Sequence, residues 1–491
     1  MKFRKTPARS RWPAVAIAIL AYSSCAENAG NGRYMQPEYW KQQALQDILP
    51  PWTKYARDSV AGSLFSTLDA NWKPEGDGAK FPAMIARHLF SYSAAYLMSG
   101  EERYFVMARD IKTYLLSSAW DRKNGGWFNS LSASSDVRDD GKSAFVQVYV
   151  TTGLTMYYFV THDPAVLRYI DESNGLLENH LWDHSSGGYY DEAENDWTLK
   201  NSNKSLGSQL APVSGYLAYL YLATRDRKYL EQAVRITDSI LRHMRDDKTG
   251  WVLESFDKDW NYVQPARGRE EINVGHNLEA AWMLLRLHLL NNRPDYRLAA
   301  SALSDSIHRY GFESQHGVWF AGIGNDHPQD HSDYTYWWIQ AYGNMVDLCF
   351  AGEFPHGDHV RNFLKGAAFW SDHFLDRQKG DTHFSVFVDG TVKDYRKANQ
   401  FKSSYHSMEH SMLNFFYLGC RIDPQPFTLH FRITSREGHV LHPIPIEIAD
   451  MTIHEVRIGG QVVPSAHDRF VILPNLEDEE VDIAFLPAGA Q

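Results

Sequence analysis

The sequence predicts an all-α (α/α)6 toroid followed by a small C-terminal β-sandwich-like domain. Three observations carry this reading. Glycines leading into short apolar or aromatic stretches recur at Gly62, Gly125, Gly187, Gly250, Gly317 and Gly380, with gaps of 63, 62, 63, 67 and 63 residues. A fixed period of this kind signals a repeat architecture. Most periods hold two segments with apolar residues at i, i+3, i+4 and i+7, the spacing of helices. After Pro424 the pattern changes to the period-two alternation of strands.

Each unit has the same inner order. The glycine opens a turn into a short strand, and an Asp- or Trp-bearing turn often follows, as in "LDANW", "ENDW", "FDKDW" and "FVDGT". A first helix comes next, such as "PAMIARHLFSYSAAYLMSG" or "HNLEAAWMLLRLHLL", apolar nearly all round. A second, more amphipathic helix closes the unit, such as "RYFVMARDIKTYLLSSAW" or "YLEQAVRITDSILRHM". That asymmetry predicts an inner ring of buried helices and an outer ring half exposed to water. The barrel is assigned to residues 34–424, closing from about Tyr34 to Tyr417. Residues 425–491 form the β-rich domain, with strands expected at "FTLHFRIT", "PIPIEIA", "TIHEVRI", "RFVILP" and "VDIAFLP" and a hairpin at Gly459-Gly460. This domain is expected to cover one flank of the toroid.

Composition narrows the function classes. The net charge of −11 argues against a nucleic-acid partner, which needs a basic surface. The 15 Trp and 27 Tyr supply a core and also suit stacking on sugar faces. Five basic residues precede a short apolar run, Ala14 to Ala21, so residues 1–26 read as a secretory signal, too short for a stable membrane span. Cleavage after Ala26, or lipid modification of Cys25 as the one membrane link, are the two exits. Either predicts an exported protein: periplasmic, secreted or lipid-anchored. Three cysteines make no disulfide framework, and Cys349 and Cys420 sit in apolar helical contexts that predict buried thiols.

In a toroid, equivalent positions of the inner helices converge at one mouth. Counting 21 to 26 residues past each unit's glycine gives Arg87, Gln147, Gln209, His276, Trp338 and His406. Each could alone be a hydrogen-bonded helix-end residue; six at one level predict a polar pocket. "GHNLEAAW" steps His276, Glu279 and Trp282 along one face, and "YHSMEH" does the same for His406 and Glu409. Two histidines facing one cavity suit an acid/base pair. Tyr405 and His410 are expected to join the substrate-binding set.

The same residues admit other chemistries. His406, Glu409 and His410 spell H-x-x-E-H, an inverted zinc-peptidase motif. Such a site needs a third ligand near the helix, and the downstream acids Glu477 to Glu480 fall in the β-rich tail. The run "NDHPQDHSD" (325–333) reads as a solvated loop, with a metal cluster as its alternative. Tyr405, Tyr336 and Asp333 fit a glycan hydrolase or lyase on the same fold, and a sugar-binding protein without turnover is the third alternative.

The chain resembles the N-acylglucosamine 2-epimerase and cellobiose 2-epimerase family from about Trp40 to Tyr417. The anchors are "ARHLFSYSAAY", "FVQVYVTTGLTMYYF", "SGGYYDEAENDW", "VGHNLEAAWMLL", "YWWIQA" and "KSSYHSMEHSML". The resemblance implies an (α/α)6 barrel that epimerises or isomerises a carbohydrate at C2 of its open-chain form, with no cofactor and no metal. It implies His276 and His406 as the acid/base pair, Arg87 near the carbonyl oxygen, Glu279 orienting His276, and Trp338 against the sugar face. The chain departs from the family pattern in three places. Gln209 and Ser214 replace a histidine and a glutamate. Tyr342 replaces the glutamate of W-W-x-Q-A-E. Ser407, Met408 and Glu409 replace asparagine, glycine and arginine.

Overall fold

The computed structural model describes residues 31–264, 272–324, 327, 329–465 and 467–489. The predicted signal, with Cys25, lies outside them. Among the described residues, outer and inner helices alternate along the chain: α1 (37–55), α2 (Pro82–Ser99), α3 (Glu102–Tyr114), α4 (Ala144–Thr161), α5 (Pro164–Leu176), α6 (206–224), α7 (Arg227–His243), α8 (Val274–Asn291), α9 (Pro294–Tyr310), α10 (Trp337–Glu353), α11 (His359–Phe369) and α12 (Tyr405–Tyr417). Even-numbered helices form the inner ring. In α2 every residue from Pro82 to Met98 is buried. In outer α7 the buried positions Tyr229, Leu230, Ala233, Ile236, Thr237 and Ile240 keep to one stripe. No helix among the described residues is long and apolar enough to cross a membrane.

Local chemistry fixes where these helices begin and end. Ser143, Ser205 and Asn273 accept from the third backbone N–H beyond them and so cap α4, α6 and α8. Pro82, Pro164 and Pro294 start α2, α5 and α9, where a missing N–H costs nothing. Inside α6, Pro212 cannot donate, and the helix widens into a π turn, Val213–Leu217.

Each inner helix packs on its ring neighbours, and α12 packs on both α10 and α2, closing the ring. The sixth helical pair is split. After α12 the chain leaves the barrel, and the outer partner of α12 is α1 from the opposite end of the chain.

The repeat is held by contacts that recur. Buried lysines just ahead of inner helices pair with aspartates: Lys80 with Asp58 (2.5 Å), Lys142 with Asp121 (3.0 Å), Lys204 with Asp183 (2.7 Å) and Lys402 with Asp381 (2.6 Å). A buried charge persists only when paired in this way. The tryptophans of the Asp/Trp turns tie one unit to its neighbour. Trp72 Nε1 donates to the Lys379 carbonyl, Trp197 to Asn124 and Trp260 to Ser186. Gly188 shows why glycine is needed in these turns. Its φ is +82°, and a Cβ there would stand 2.5 Å from the Trp260 ring.

The C-terminal domain is a four-stranded antiparallel sheet plus a two-stranded ribbon. The strands are β1 (Phe427–Ser435), β2 (His439–Leu441), β3 (Met451–Ile458), β4 (Gln461–Val463), β5 (Val471–Leu473) and β6 (Leu476–Pro487). The sheet order is β1-β6-β3-β4, and β2 pairs with β5. Gly459-Gly460 makes the β3–β4 turn. "PIPIEIA" is not a strand, because Pro443 and Pro445 lack the N–H a ladder requires. This segment instead carries Glu447 into the barrel, where it forms a fully buried ion pair with Arg286 of α8. The domain meets the C-terminal ends of the inner helices: Tyr96 of α2 donates to the Phe431 carbonyl (3.5 Å), and His162, just after α4, pairs with His439 (2.7 Å). It therefore covers the closed end of the toroid. Cys349 and Cys420 are buried free thiols.

Candidate active site

At the opposite end, the first turns of the inner helices surround a cavity of about 260 Å³. Arg87 of α2, His276 and Glu279 of α8, Trp338 of α10 and His406 of α12 line it, as the sequence predicts. Tyr336, singled out for the hydrolase or lyase alternative, also lines it, and Phe145, Tyr149, Trp337, Phe384 and Phe401, which were not foreseen, complete the wall. Their signal was the general aromatic excess, which does not distinguish wall from core.

His276 is held by a residue the sequence reading missed. Its Nδ1 lies 2.9 Å from both carboxylate oxygens of Glu254. Burial lowers the His276 pKa, but Glu254, with help from Glu279, outweighs it and raises the value to about 9. His276 is therefore an imidazolium at neutral pH. Glu279, expected to orient this ring, instead accepts from Ser214 Oγ at 2.5 Å, and burial pushes its carboxyl above the ordinary range. Ser214 reaches Glu279 from the π turn that Pro212 imposes on α6.

Glu254 has a recognisable position. It follows Gly250 by four residues, as Ser66, Asn129 and Asp191 follow their own unit glycines. Those three side chains accept from backbone N–H groups at the approach to the next inner helix: Phe81, Ser143 and Ser205. In the fourth unit the longer glutamate reaches the imidazole instead.

His406 has the opposite character. It is buried, and its Nδ1 has no hydrogen-bond partner among the described residues. Aromatic rings surround it: Tyr405 at 4.8 Å, Tyr342 at 5.7 Å, Trp337 at 5.8 Å and Trp338 at 6.1 Å between centroids. Burial, with Arg87 and His276 nearby, holds its pKa well below 6.5, so the ring is neutral. Trp338 also lies 5.3 Å from the His276 ring. Gly275 permits this approach, because a Cβ there would stand 2.4 Å from the Trp338 ring.

Arg87 lies over Tyr149, its Cζ 3.6 Å from the ring centroid, and donates to the Phe401 carbonyl at 2.9 Å. Its Nε has no partner among the described residues. One fixed cation, one imidazolium and one neutral imidazole thus share a single cavity.

Six of the expected site residues lie elsewhere. Gln147 and Gln209 are fully buried. Each accepts from and donates to the backbone of its own unit's glycine turn: Gln147 to Trp127 (2.8 and 2.7 Å) and Gln209 to Tyr189 (2.8 and 2.8 Å). Asn277 treats Val252 identically (2.9 and 3.0 Å). The counterpart of Gln147 and Gln209 is therefore Asn277, one residue past His276. On a helix one residue is a rotation of about 100°, enough to move a side chain from cavity to wall. Trp282 is buried, donating to Tyr417 Oη at 3.0 Å beneath the Arg286 guanidinium. His410 packs between Trp40 and Trp370 (4.8 and 4.6 Å), and burial lowers its pKa to about 3. Glu409 lies below the cavity and accepts from Tyr405 (3.0 Å) and Tyr219 (3.4 Å), so Tyr405 supports Glu409 and does not line the cavity. Burial raises the Glu409 pKa to about 8. His406, Glu409 and His410 therefore share no ligand-binding point, and the peptidase motif is a coincidence of spacing. In the 325–333 loop, Asn325, Asp326 and Pro328 lie outside the described residues, and His331 stacks on Phe320 at 3.8 Å.

Comparison with known proteins agrees with this architecture. The sequence profile of N-acylglucosamine 2-epimerase (GlcNAc 2-epimerase) matches residues 62–409. A cellobiose 2-epimerase of Bacteroides fragilis is 25% identical over 386 residues, 73% of this chain and 93% of that protein. A D-mannose isomerase of Marinomonas mediterranea is 20% identical over 331 residues, 66% of this chain and 83% of that protein. The solved cellobiose 2-epimerase of Spirochaeta thermophila DSM 6192 superposes with a TM-score of 0.72 at 21% identity, covering 81% of this chain and 98% of that one, and shares the fold. The chain belongs to the N-acylglucosamine 2-epimerase family and is a carbohydrate epimerase or isomerase.

Proposed function

We propose that this protein moves a proton at C2 of a ring-opened reducing sugar, with His406 and His276 as the acid/base pair. The observation that carries the proposal is two imidazoles in one cavity with opposite surroundings, His276 paired with the Glu254 carboxylate and His406 enclosed by aromatic rings with its Nδ1 unpartnered among the described residues. The neutral His406 takes the C2 proton of the open-chain aldehyde. The C–H electron pair then forms the C1–C2 double bond, and the carbonyl electrons settle on O1 as an enediolate. Arg87 supplies a fixed positive charge for that oxygen. The imidazolium His276 returns a proton. Delivery to the opposite face of C2, with the O1 electrons reforming the C1 carbonyl, gives the epimer; delivery to C1, with the O2 hydroxyl proton passing to O1 and C2 becoming the carbonyl, gives the ketose. Trp338 packs on the sugar and keeps water from the intermediate. Relatives that are cellobiose 2-epimerases and D-mannose isomerases support a reducing sugar with a stereocentre at C2.

The test is proton exchange in heavy water, read by NMR at C2 of cellobiose, mannose and glucose. Exchange lost in both His276→Ala and His406→Ala, by ~10²-fold or more, supports the assignment. Glycosidic cleavage without C2 exchange would reassign the cavity to hydrolysis. Export is a second part of the proposal and rests on residues 1–26. Mass spectrometry of the mature N-terminus after cell fractionation tests it, with an intact Met1 in the cytoplasm as the refuting result.

A further inference from the structure

Away from the mouth, His308 of α9, Asp347 of α10 and His359 of α11 converge, their ligand atoms all within 4.8 Å of one another. His308 Nε2 and His359 Nδ1 lie 2.8 and 2.9 Å from the same oxygen, Asp347 Oδ1. The aspartate is fully buried, while the two imidazoles keep 16% and 13% exposure, enough for a small opening. Asp347 Oδ2 has no hydrogen-bond partner among the described residues, which is costly for a buried carboxylate oxygen.

The tautomer of His308 sharpens the point. Its Nδ1 lies 2.7 Å from the Ser304 carbonyl, which can only accept, so Nδ1 carries the proton. In a neutral imidazole the Nε2 lone pair would then face a carboxylate oxygen, which is repulsive. A positive centre must stand between them, either a second proton on His308 or a cation. Two imidazoles and a carboxylate, one ring braced by Nδ1–H to a backbone carbonyl, are the donor set and outer shell of a borderline divalent metal.

We propose that His308, Asp347 and His359 form a structural site for a divalent transition metal, zinc by its donor chemistry, with water as the fourth ligand. Zinc bonds of ~2.1 Å in a tetrahedron separate ligand atoms by ~3.4 Å. The two rings need only withdraw slightly from Asp347, and His359, the first residue of α11, is placed to do so. The ion joins outer helices α9 and α11 to inner helix α10. None of the three ligands lines the cavity, so the role is structural.

The full-length protein, stripped with EDTA, is loaded separately with Zn²⁺ and Co²⁺ and passed through gel filtration. One equivalent of zinc per chain, the intense visible absorption of four-coordinate cobalt, and an EDTA-reversible rise in the unfolding midpoint are expected. His359→Ala and Asp347→Asn lose all three. C2 exchange in His359→Ala stays within about twofold of the parent, and circular dichroism checks its fold. Two results overturn the proposal. One is no retained zinc and no cobalt absorption in the parent, which makes the cluster an imidazolium–carboxylate bridge. The other is a zinc equivalent that survives His359→Ala but is lost in His276→Ala, which puts the metal at the mouth.

Discussion

Replacing Glu254 by glutamine isolates the electrostatics of the cavity. The change keeps side-chain length and one accepting oxygen and removes the charge. Burial disfavours the His276 cation, and Glu254, with Glu279, favours it more, for a pKa of about 9 against an ordinary 6.5. That difference corresponds to ~3 kcal/mol in favour of the imidazolium. The paired side chains are 27% and 28% exposed, so solvent screens part of it. Without the Glu254 charge, burial prevails, and His276 titrates at or below the ordinary histidine value. The sign for stability follows. A folded-state pKa raised above 6.5 gives stabilisation that is fully present below pH 6.5 and is lost as pH rises through about 9. Glu254→Gln therefore lowers stability near pH 6 by up to ~3 kcal/mol and flattens the decline between pH 6.5 and about 9. Urea unfolding at pH 6 and pH 9.5 measures this, and NMR of ¹³C-labelled histidine follows the ring directly. In C2 exchange, the alkaline limb moves from about 9 to near 6.5 or below. A His276 midpoint that stays near 9 in Glu254→Gln would refute the reasoning.

Three further predictions use other parts of the molecule. Glu409 has a folded pKa of about 8 against 4.5, so its stabilising contribution is present below pH 4.5 and declines as pH rises through about 8; Glu409→Gln, permanently neutral and still able to accept from Tyr405 and Tyr219, removes that slope and is at least as stable as the parent in urea at pH 8. Gly188→Ala puts a Cβ against Trp260 at a φ of +82°, and thermal unfolding should record a loss of more than ~2 kcal/mol. Glu447→Ala leaves Arg286 buried and unpaired at a cost of ~3–5 kcal/mol in chemical denaturation. Arg286→Met combined with Glu447→Leu should recover most of that loss.

The repeat and the inner and outer rings are legible in the sequence because a fixed period and a one-sided or all-round apolar pattern are properties of the chain itself. The all-round burial of the inner helices is also where the reading fails. A helix buried on every face has no polar stripe to set its rotation, so Gln147 and Gln209 were aligned with His276 when their counterpart is Asn277. Glu254 escaped because it stands 22 residues before His276, off the helix and outside any i+3 or i+4 relation. Glu409 and His410 were assigned to the cavity on helical spacing alone, yet α12 presents them to Tyr405 and Tyr219 on one side and to Trp40 and Trp370 on the other. The segment around Glu447 alternates like a strand, but its prolines forbid a ladder.

The split sixth pair has a consequence for how the molecule is made. Five inner helices can find an outer companion in the stretch of chain that immediately follows them. The sixth, α12, waits for α1, laid down some 350 residues earlier. Until residues near 420 are in place, the solenoid is an open arc whose first helix exposes an unsatisfied apolar face. Closure is therefore a late event of long sequence separation, and α12 brings His406 with it. The arc carries Arg87 and His276, but His406 arrives only when the seam is sealed. Under the proposed two-histidine mechanism, completing the ring is also the step that completes the acid/base pair.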